Sequence, residues 1–343
     1  MMNIKNLIRK NILDLIPYSS ARDEFKSTEN FIYLDANESS YNNNLNRYPD
    51  NRHIRLKSMI SSYKNINIDR LMLCNGTDEL IDLVIRVFCN PGIDKIITLN
   101  PTYGMYNVSA KINNIENITV NLDSSFQIDN DRVISKFDTN TKIIFITNPN
   151  NPTGNVFDDR SITKIIESFE GIVFIDEAYV DYSKKSFLKK LNSHDNLIIS
   201  QTFSKALGLA GIRLGVGYAS EEIIDYLNKV KPPYNINTLT EKKAINSISE
   251  YYVNSHQVNE TITERIKLVE KLNKIKCVIK VFPSNSNFIL VEFDDANKIY
   301  NQLIDNKIVV RNRSNIEGCN NCLRITVGTP KQNEILIKTL NNL

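Results

Sequence analysis

The chain has 343 residues, of which 41% are hydrophobic, so it can bury a large core in one large domain with a smaller one, or in two medium domains. Its 42 basic and 39 acidic residues leave a formal net charge of only +3 and are scattered along the chain, so we expect no nucleic-acid partner. No stretch of about eighteen apolar residues predicts a membrane span, and charges interrupt the apolar N-terminus, so the sequence predicts a soluble, cytoplasmic protein.

The cysteines indicate reduced thiols, because five are too few for a disulfide scaffold in a chain of this size. Cys319 and Cys322 form one C-x-x-C, a spacing that suits a redox pair or half of a zinc site. The histidines, His53, His194 and His256, lie far away in sequence, and no second C-x-x-C supplies the remaining zinc ligands. We therefore expect structural thiols and no bound metal.

In chain order, short β-branched runs alternate with segments of helical apolar spacing. The runs predicted as buried strands are DKIITLN, TKIIFITN, GIVFIDEAY and DNLIISQTF, and the helix-like segments include DELIDLVIRVF and RSITKIIESF. This alternation predicts an α/β fold, with a mostly parallel sheet covered by helices. After about residue 235, a long helical stretch precedes short predicted strands at CVIKVF, NFILVEF, KIVVRNR and LRITVG, which indicates a smaller α+β domain.

The first candidate site lies at Gly76, Thr77 and Asp78, where the helical segment DELIDLVIRVF begins. Thr77 or Asp78 is expected to cap this helix. The free backbone N–H groups of a helix start also suit a phosphate. The chain has no Walker loop and no G-x-G-x-x-G, so we expect neither of those nucleotide sites.

Polar residues follow two later strands at their carboxyl ends, where ligands gather in an open parallel sheet. The turn NPNNPTG, residues 148–154, contains more side-chain amides than a simple turn requires, among them Asn151. Asp176 ends the next strand and is followed by Glu177 and Tyr179. A carboxylate at that place costs desolvation unless a cation or a hydrogen-bond donor meets it, so we expect a cationic partner.

The segment SQTFSKALGLAGIRLGVG places Lys205 and Arg213 among small and apolar residues. Taken alone, Lys205 ends a strand and Arg213 is solvated. Together with Asp176, the helix start and the hydroxyls of Thr202 and Ser204, the two cations could instead form a binding site for a phosphorylated cofactor with a cationic ring nitrogen. Pyridoxal phosphate requires a lysine for covalent attachment, an acidic partner for its ring nitrogen and a cup for its phosphate.

Four motifs in order, NPNNPTG, DEAY, TFSKALGLAGIRLG and LRITVGT, resemble the signatures of the fold-type I pyridoxal-phosphate aminotransferases. LDANES, RYPD, NPTYGMY, KPPYNIN and IPYSSAR look like segments of the histidinol-phosphate aminotransferase branch, so nearly the whole chain shares the resemblance. It implies a seven-stranded, mostly parallel sheet in a large cofactor-binding domain at 45–235. An N-terminal arm with part of the small domain at 1–44 and a small C-terminal domain at 236–343 would complete the chain. RNRSNIEGCNNC, residues 311–322, matches no pattern of that branch.

The resemblance also implies roles around the cofactor ring. Lys205 attaches the cofactor and then moves a proton between the substrate carbon and the cofactor carbon, while Asp176 keeps the ring nitrogen protonated. Asn151 and Tyr179 bind the phenolic oxygen, and Tyr103 stacks on the ring face. The implied phosphate ligands are Gly76, Thr77, Asp78, Thr202, Ser204, Arg213 and, from the neighbouring subunit of a homodimer, Tyr48.

On the substrate side, the resemblance implies that Arg324 binds the anionic end, with Asn151 nearby, Arg311 as a second basic residue and Tyr18 closing the pocket. Arg311 could instead point to solvent from the strand KIVVRNR. The implied reaction moves an amino group between glutamate or 2-oxoglutarate and imidazole-acetol phosphate or histidinol phosphate in L-histidine biosynthesis.

Three alternatives stay open. Within the fold, a threonine-phosphate decarboxylase shares the lysine, the aspartate and a phosphorylated small substrate, and an aromatic amino-acid aminotransferase is not excluded by Arg311 and Arg324. From a different class, the chain could be a cofactor-free regulator with an inherited fold. The intact Lys205 and Asp176 argue against a regulator.

Overall fold

A computed structural model describes residues 3–20, 31–253 and 256–343 of the chain. Residues 21–30, which include the end of IPYSSAR and part of the predicted arm at 1–44, lie outside the described residues. Among the helices that are described, none is both long enough and apolar enough to cross a bilayer.

The larger of two sheets has seven strands: β1 (Leu71–Asn75), β2 (Lys95–Asn100), β3 (Glu116–Asn121), β4 (Thr141–Thr147), β5 (Ile172–Asp176), β6 (Leu197–Thr202) and β7 (Leu214–Tyr218). Their order is β1-β7-β6-β5-β4-β2-β3. β7 runs antiparallel to both of its neighbours, and the other pairs are parallel. The predicted α/β fold with a seven-stranded, mostly parallel sheet is confirmed, and the four runs predicted as strands are β2, β4, β5 and β6.

Helices cover both faces of this sheet because its central strands are apolar on both faces. In β5, Ile172 and Phe174 join one hydrophobic core, and Val173 and Ile175 join a second core on the opposite face. The α-helices of the described residues are α1 (Lys10–Leu13), α2 (Ile54–Lys64), α3 (Thr77–Phe88), α4 (Met105–Ile112), α5 (Asn130–Ile134), α6 (Asp159–Ser168), α7 (Val180–Ser183), α8 (Glu221–Val230), α9 (Thr238–Val253), α10 (His256–Leu272), α11 (Ala296–Asp305) and α12 (Pro330–Asn341).

The smaller sheet is antiparallel and contains β8 (Val278–Val281), β9 (Phe288–Phe293), β10 (Arg311–Asn312) and β11 (Cys322–Thr326). Its strands follow the order β10-β11-β9-β8. A separate core joins it to the last three helices, with Leu268, Ile289, Leu303, Ile325 and Leu336 among the buried members. This sheet and its helices form the predicted smaller α+β unit, while Ala244 and Ile248 of α9 pack in a core of the large sheet. The boundaries at 44/45 and 235/236 stay predictions.

The strand predicted for KIVVRNR is wrong over residues 307–310, because only Arg311–Asn312 pairs. Lys307 has a φ of 63°, and the N–H of Ile308 donates to the carbonyl of Leu303 at 2.8 Å. These residues therefore close the end of α11 instead of joining the sheet. Val309 is 79% exposed, so its side chain does not pack against the sheet, and the packing that favours β-branched residues in strands is missing.

The parallel strands β4, β5 and β6 end side by side at one edge of the large sheet. Thr147 at the end of β4 pairs in register with Asp176 at the end of β5, and Asp176 pairs with Ser200 of β6. The loops NPNNPTG, DEAY and TFSK begin at this edge. Their polar side chains converge there because the carboxyl ends of parallel strands meet.

Candidate active site

Asp176, the last residue of β5, is a buried carboxylate that is 3% exposed. Its Oδ1 accepts hydrogen bonds from Ser200 Oγ at 3.0 Å and from the N–H of Ala178 at 3.1 Å, and its Oδ2 accepts one from the Tyr106 hydroxyl at 3.0 Å. Burial raises the pKa of Asp176, and these hydrogen bonds act in the opposite direction. No salt bridge within the described residues neutralises it, so the site suits an incoming cationic group.

Tyr106 is a site residue that sequence reasoning missed. It lies in the first turn of α4 and is fully buried, with its ring stacked on Phe145 at 4.6 Å between centroids. Its hydroxyl lies 2.7 Å from Thr147 Oγ1 as well as 3.0 Å from Asp176. Tyr106 therefore holds the carboxylate in one orientation. The available signal was its helical spacing, three residues after Tyr103 in NPTYGMY.

Lys205 follows β6 and borders the same cavity, with its Nζ 5.6 Å from the centre of the Tyr179 ring. Its side chain is exposed to the open cavity, although neighbouring atoms remove part of its hydration. This desolvation is the main cause that lowers the pKa of Lys205; Arg324 and Arg213 lower it further, and Asp176 opposes them. A lysine in this state presents more neutral amine near neutral pH, which is the nucleophilic form.

A chain of polar contacts joins the two sheets at the cavity. Asn151 Nδ2 donates to the Tyr179 hydroxyl at 3.4 Å, and Nη1 of Arg324 donates to Asn151 Oδ1 at 2.5 Å. The guanidinium of Arg324 also lies over the Phe288 ring, 5.2 Å from its centre. Burial raises the pKa of Tyr179 to about 12, while Arg324 acts in the opposite direction. Tyr179 therefore stays a protonated phenol near neutral pH.

The start of α3 lies beside Arg213. Gly76 occupies the N-cap position and supplies no side-chain cap, so the expectation that Thr77 or Asp78 caps this helix is wrong.

Gly76 has a φ of 73°, and a Cβ there would lie 2.6 Å from Arg213 Nη2. A Cβ on Gly215 would lie 2.7 Å from the Thr77 nitrogen. Arg213 Nη2 lies 3.8 Å from Asp78 Oδ2. Uncapped N–H groups beside a guanidinium form a ready anion site.

The remaining predicted residues line the same cavity beside the start of α3. The Tyr103 hydroxyl donates to Asp78 at 3.0 Å, and burial together with Asp78 raises the pKa of Tyr103. The N–H of Ser204 donates to Thr202 Oγ1 at 3.1 Å. The residues that line the cavity are Thr77, Asp78, Tyr103, Thr147, Asn151, Asp176, Ala178, Tyr179, Thr202, Ser204, Lys205, Ala210 and Arg213. The structure thus brings together the predicted residues from five separate segments.

Among the predicted site residues, Tyr48 and Tyr18 lie in grooves apart from this cavity within the chain. Tyr48 is 52% exposed and stacks on Tyr234, with ring centres 4.4 Å apart. Tyr18 is 72% exposed and borders a different groove, which also contains His53 and Lys57. Neither residue lines the cavity around Lys205.

Arg311 and Arg324 are cross-strand neighbours, since they stand directly opposite each other in the β10–β11 pair. Sequence reasoning missed a third arginine, Arg313, because RNRSNIEGCNNC matched no family pattern. Burial lowers the pKa of Arg313 to about 10, and repulsion by Arg324 and Arg311 contributes to this effect. Three arginines therefore gather on the small sheet.

Cys319 and Cys322 are both buried free cysteines. Burial raises the pKa of Cys319 to about 11 and that of Cys322 to about 12, so both remain thiols near neutral pH. Across the described ranges, no cluster of three or more His, Cys, Asp or Glu side chains has a geometry that could hold a metal ion.

Comparison with known proteins identifies the family of the chain. The aminotransferase class I and II family model matches residues 24–340. The chain is 50% identical over 343 residues to the histidinol-phosphate aminotransferase of Flavobacterium psychrophilum, with 99% of each chain covered. The solved histidinol-phosphate aminotransferase from Clostridium acetobutylicum has a TM-score of 0.80 and 28% identity, with 87% of this chain and 91% of that chain covered.

A second solved structure shares the fold at lower identity. It is the histidinol-phosphate aminotransferase from Sinorhizobium meliloti in complex with pyridoxal-5'-phosphate, with a TM-score of 0.78, 19% identity and coverage of 86% of this chain and 82% of that chain. The family model and the 50% identical relative confirm the resemblance carried by the four motifs. The chain belongs to the aminotransferase class I and II family and, within it, among the histidinol-phosphate aminotransferases.

Proposed function

We propose that this enzyme transfers an amino group between glutamate or 2-oxoglutarate and imidazole-acetol phosphate or histidinol phosphate, a step of L-histidine biosynthesis in the cytoplasm. The observation that carries the proposal is one cavity bordered by the buried carboxylate of Asp176, the amine of Lys205 and the uncapped start of α3. Arg324 reaches the same place from the small sheet through Asn151. The 50% identical relative of that name supports the choice of substrates.

The cavity residues fit pyridoxal phosphate. Asp176 is a buried carboxylate that has donors but no salt bridge in the described chain, which suits a protonated ring nitrogen. At the other end, Gly76 leaves the helix start open beside Arg213, which suits a phosphate. Lys205 borders the cavity with these groups. When bound, pyridoxal phosphate supplies a ring that accepts electrons from the substrate carbon.

Each residue at the ring end then has a role. Lys205 would hold the cofactor covalently and, once released by the substrate, would carry a proton between the substrate carbon and the cofactor carbon, a task that suits its lowered pKa. Asp176 keeps the proton on the ring nitrogen. Asn151 and Tyr179, which already contact each other, bind the phenolic oxygen, and Tyr103 covers the ring face.

At the phosphate end, the ligands are backbone N–H groups, hydroxyls and one guanidinium. Gly76, Thr77 and Asp78 contribute the start of α3, and the Asp78 carboxylate positions Arg213. The hydroxyls of Thr202 and Ser204, at the end of β6, complete the cup. An anion held in this way gains from the helix dipole and from a charge-assisted hydrogen bond.

On the substrate side, Arg324 binds the anionic group. Its planar guanidinium suits a carboxylate and a phosphate alike, and its contact with Asn151 ties the substrate site to the cofactor site. Arg311 acts beside Arg324 on the neighbouring strand.

We infer a homodimer in which Tyr48 reaches the cofactor phosphate of the partner subunit. Tyr48 and Tyr234 stack in an exposed groove that also contains Leu45 and Leu239, which are 51% and 61% exposed. An exposed apolar and aromatic surface of this kind suits association with a second copy.

Mixing two inactive variants tests the shared site. In a heterodimer of Tyr48→Ala and Lys205→Ala subunits, one of the two sites carries neither change, so activity should exceed that of either homodimer. If mixed and refolded subunits show only the summed activity of the parents, Tyr48 does not act across the interface.

The function itself is tested by half-reactions of the cofactor-loaded enzyme with histidinol phosphate, threonine phosphate and phenylalanine. We expect histidinol phosphate to convert the cofactor spectrum fastest and to yield imidazole-acetol phosphate. Release of CO₂ from threonine phosphate would identify a decarboxylase instead. A faster half-reaction with phenylalanine would identify an aromatic amino-acid aminotransferase, and a colourless protein that binds no cofactor would identify a regulator.

A further inference from the structure

We propose that Arg313 determines specificity for the phosphorylated substrate, by completing with Arg311 and Arg324 a site for a dianionic phosphate. These three residues are called the arginine triad below. The inference rests on the proposed function and deepens it, because it assigns phosphate selectivity to a residue outside every motif that identified the family.

The β hairpin places the triad on one face of the small sheet. Arg311 stands directly opposite Arg324 in the antiparallel pair of β10 and β11. The N–H of Arg313 donates to the carbonyl of Cys322 at 2.9 Å, so the pairing continues for two residues beyond Arg311. Side chains alternate between faces along a strand, so residues two apart share a face. Arg313 therefore lies on the face shared by Arg311 and Arg324.

The triad has no carboxylate partner within the described residues. None of its guanidinium groups takes part in a salt bridge there, and the hydrogen bond of Arg324 goes to a neutral amide, that of Asn151. The Nε of Arg313 is buried and has no hydrogen-bond partner among the described atoms. A buried donor without a partner costs stability, and an anion bound to this guanidinium would offset that cost.

Electrostatics favour a doubly charged ligand at this place. Burial is the main cause that lowers the pKa of Arg313, and repulsion by Arg324 and Arg311 adds to it. Arginine nevertheless keeps its proton near neutral pH, so the repulsion persists until an anion binds. The nearby Cys319 cannot supply that anion, because burial raises its pKa to about 11.

The triad also adjoins the reacting groups. Arg324 contacts Asn151, which contacts the Tyr179 hydroxyl, and both Arg324 and Arg313 act to lower the pKa of Tyr179. An anion held by the triad therefore lies on the substrate side of the cofactor cavity.

The two substrates differ in the charge that they bring to this place. A phosphate monoester carries about −1.5 to −2 at pH 7 and a carboxylate carries −1. We therefore expect the phosphorylated substrate to depend on all three cations, whereas the single glutamate carboxylate that enters this place is paired by Arg324. The preference for the phosphorylated substrate should fall as pH drops below about 6, where the phosphate becomes a monoanion.

The test compares Arg313→Gln, Arg313→Lys and a control, Arg160→Gln, at an exposed arginine of α6. Half-reactions of each holoenzyme are measured with histidinol phosphate and with glutamate between pH 5.5 and about 8. We expect Arg313→Gln to lower kcat/KM for histidinol phosphate about ten- to a hundred-fold, mainly through KM, and to change that for glutamate less than about threefold. Arg313→Lys should restore part of the loss, and the control should match wild type.

A second readout uses inorganic phosphate alone. It should raise the Tm of the wild-type holoenzyme more than that of Arg313→Gln, because a ligand stabilises the state that binds it. A merely structural role of Arg313 would lower activity with both substrates equally and leave the phosphate-dependent Tm shift intact.

Equal loss with both substrates, or no loss with either, overturns the proposal. If Arg313→Gln does not fold, Arg313→Lys decides the question: its ratio of the two kcat/KM values must fall, since a point charge replaces a planar fork, and an unchanged ratio overturns the proposal. If wild type does not accept histidinol phosphate, the proposed function fails. The triad is then judged by the Tm shift with inorganic phosphate, whose loss in Arg313→Gln supports it and whose persistence overturns it.

Discussion

The edge of the large sheet around Asp176 and the arginine triad of the small sheet differ in whether their charged groups have partners within the protein. Asp176 is buried, but three internal donors already satisfy its oxygens. The triad has no carboxylate partner in the described chain, and one of its donors is buried without a hydrogen bond. The first arrangement suits a group that stays bound through every cycle. The second suits a ligand that is exchanged in each half-reaction.

This comparison separates two kinds of variants. A change at the large-sheet edge should impair the half-reactions with glutamate and histidinol phosphate alike, because both use the same cofactor. A change at Arg311 or Arg313 should impair them unequally, because only one substrate carries a phosphate, whereas a change at Arg324 should impair both.

The largest effect is expected at Lys205. Lys205→Ala should lower both half-reactions by about a thousand-fold or more, since it would remove the proposed covalent anchor and the proposed proton carrier together. Stopped-flow absorbance measures the rates, and the Tm checks that the fold is retained. A variant that transaminates at near the wild-type rate would show that another residue carries the proton.

Asp176→Asn should have the next largest effect. A neutral amide stabilises a protonated ring nitrogen poorly, so we expect both half-reactions to fall about a hundred-fold. Binding of the cofactor should weaken but persist, as measured by fluorescence titration of the apoenzyme. Unchanged turnover in this variant would contradict the role of Asp176.

Tyr106→Phe should have the smallest effect and sharpens the account of Asp176. The Tyr106 hydrogen bond favours the charged form of Asp176, so its loss raises the pKa of that carboxylate. Asp176 then gains its proton at higher pH, and activity should begin to fall at higher pH as the medium is acidified. Near neutral pH we expect a loss of about three- to tenfold.

The pH–rate profiles of Tyr106→Phe and wild type provide the measurement. The stack on Phe145 stays possible in the variant, so its Tm should change little. Identical acid limbs in the two profiles would mean that Tyr106 supports the fold and not the charge of Asp176.

Much of the fold could be predicted from the sequence, because it depends on patterns of neighbouring residues. Buried parallel strands such as β5 are continuous apolar runs, and the polar residues at their ends, Asp176 and Lys205, lie where the topology brings ligands. The prediction failed at 307–310, where Lys307 and Ile308 close the end of α11 and Val309 is exposed. Local propensity contains no information about that exposure.

The rest of the site could not be predicted because it depends on contacts between distant segments. Tyr106 meets Asp176 across seventy residues of chain, and its helical spacing alone did not distinguish it from a core tyrosine. Arg313 became a candidate for the site only because the β10–β11 hairpin places it on the same face as Arg324. The helix start at Gly76 was predicted as a phosphate site, but its cap was assigned to the wrong residue.

The central claim is that the large-sheet edge around Asp176 binds the cofactor, whereas the arginine triad binds the anionic group of the substrate. It is tested most directly by the ratio of the half-reaction rates with histidinol phosphate and glutamate, measured for wild type, Asp176→Asn and Arg311→Ala in one assay. The account predicts the wild-type ratio in Asp176→Asn and a ratio reduced by about ten-fold or more in Arg311→Ala. A wild-type ratio in Arg311→Ala, with both rates within about twofold of wild type, would mean that Arg311 points to solvent, and would contradict the claim.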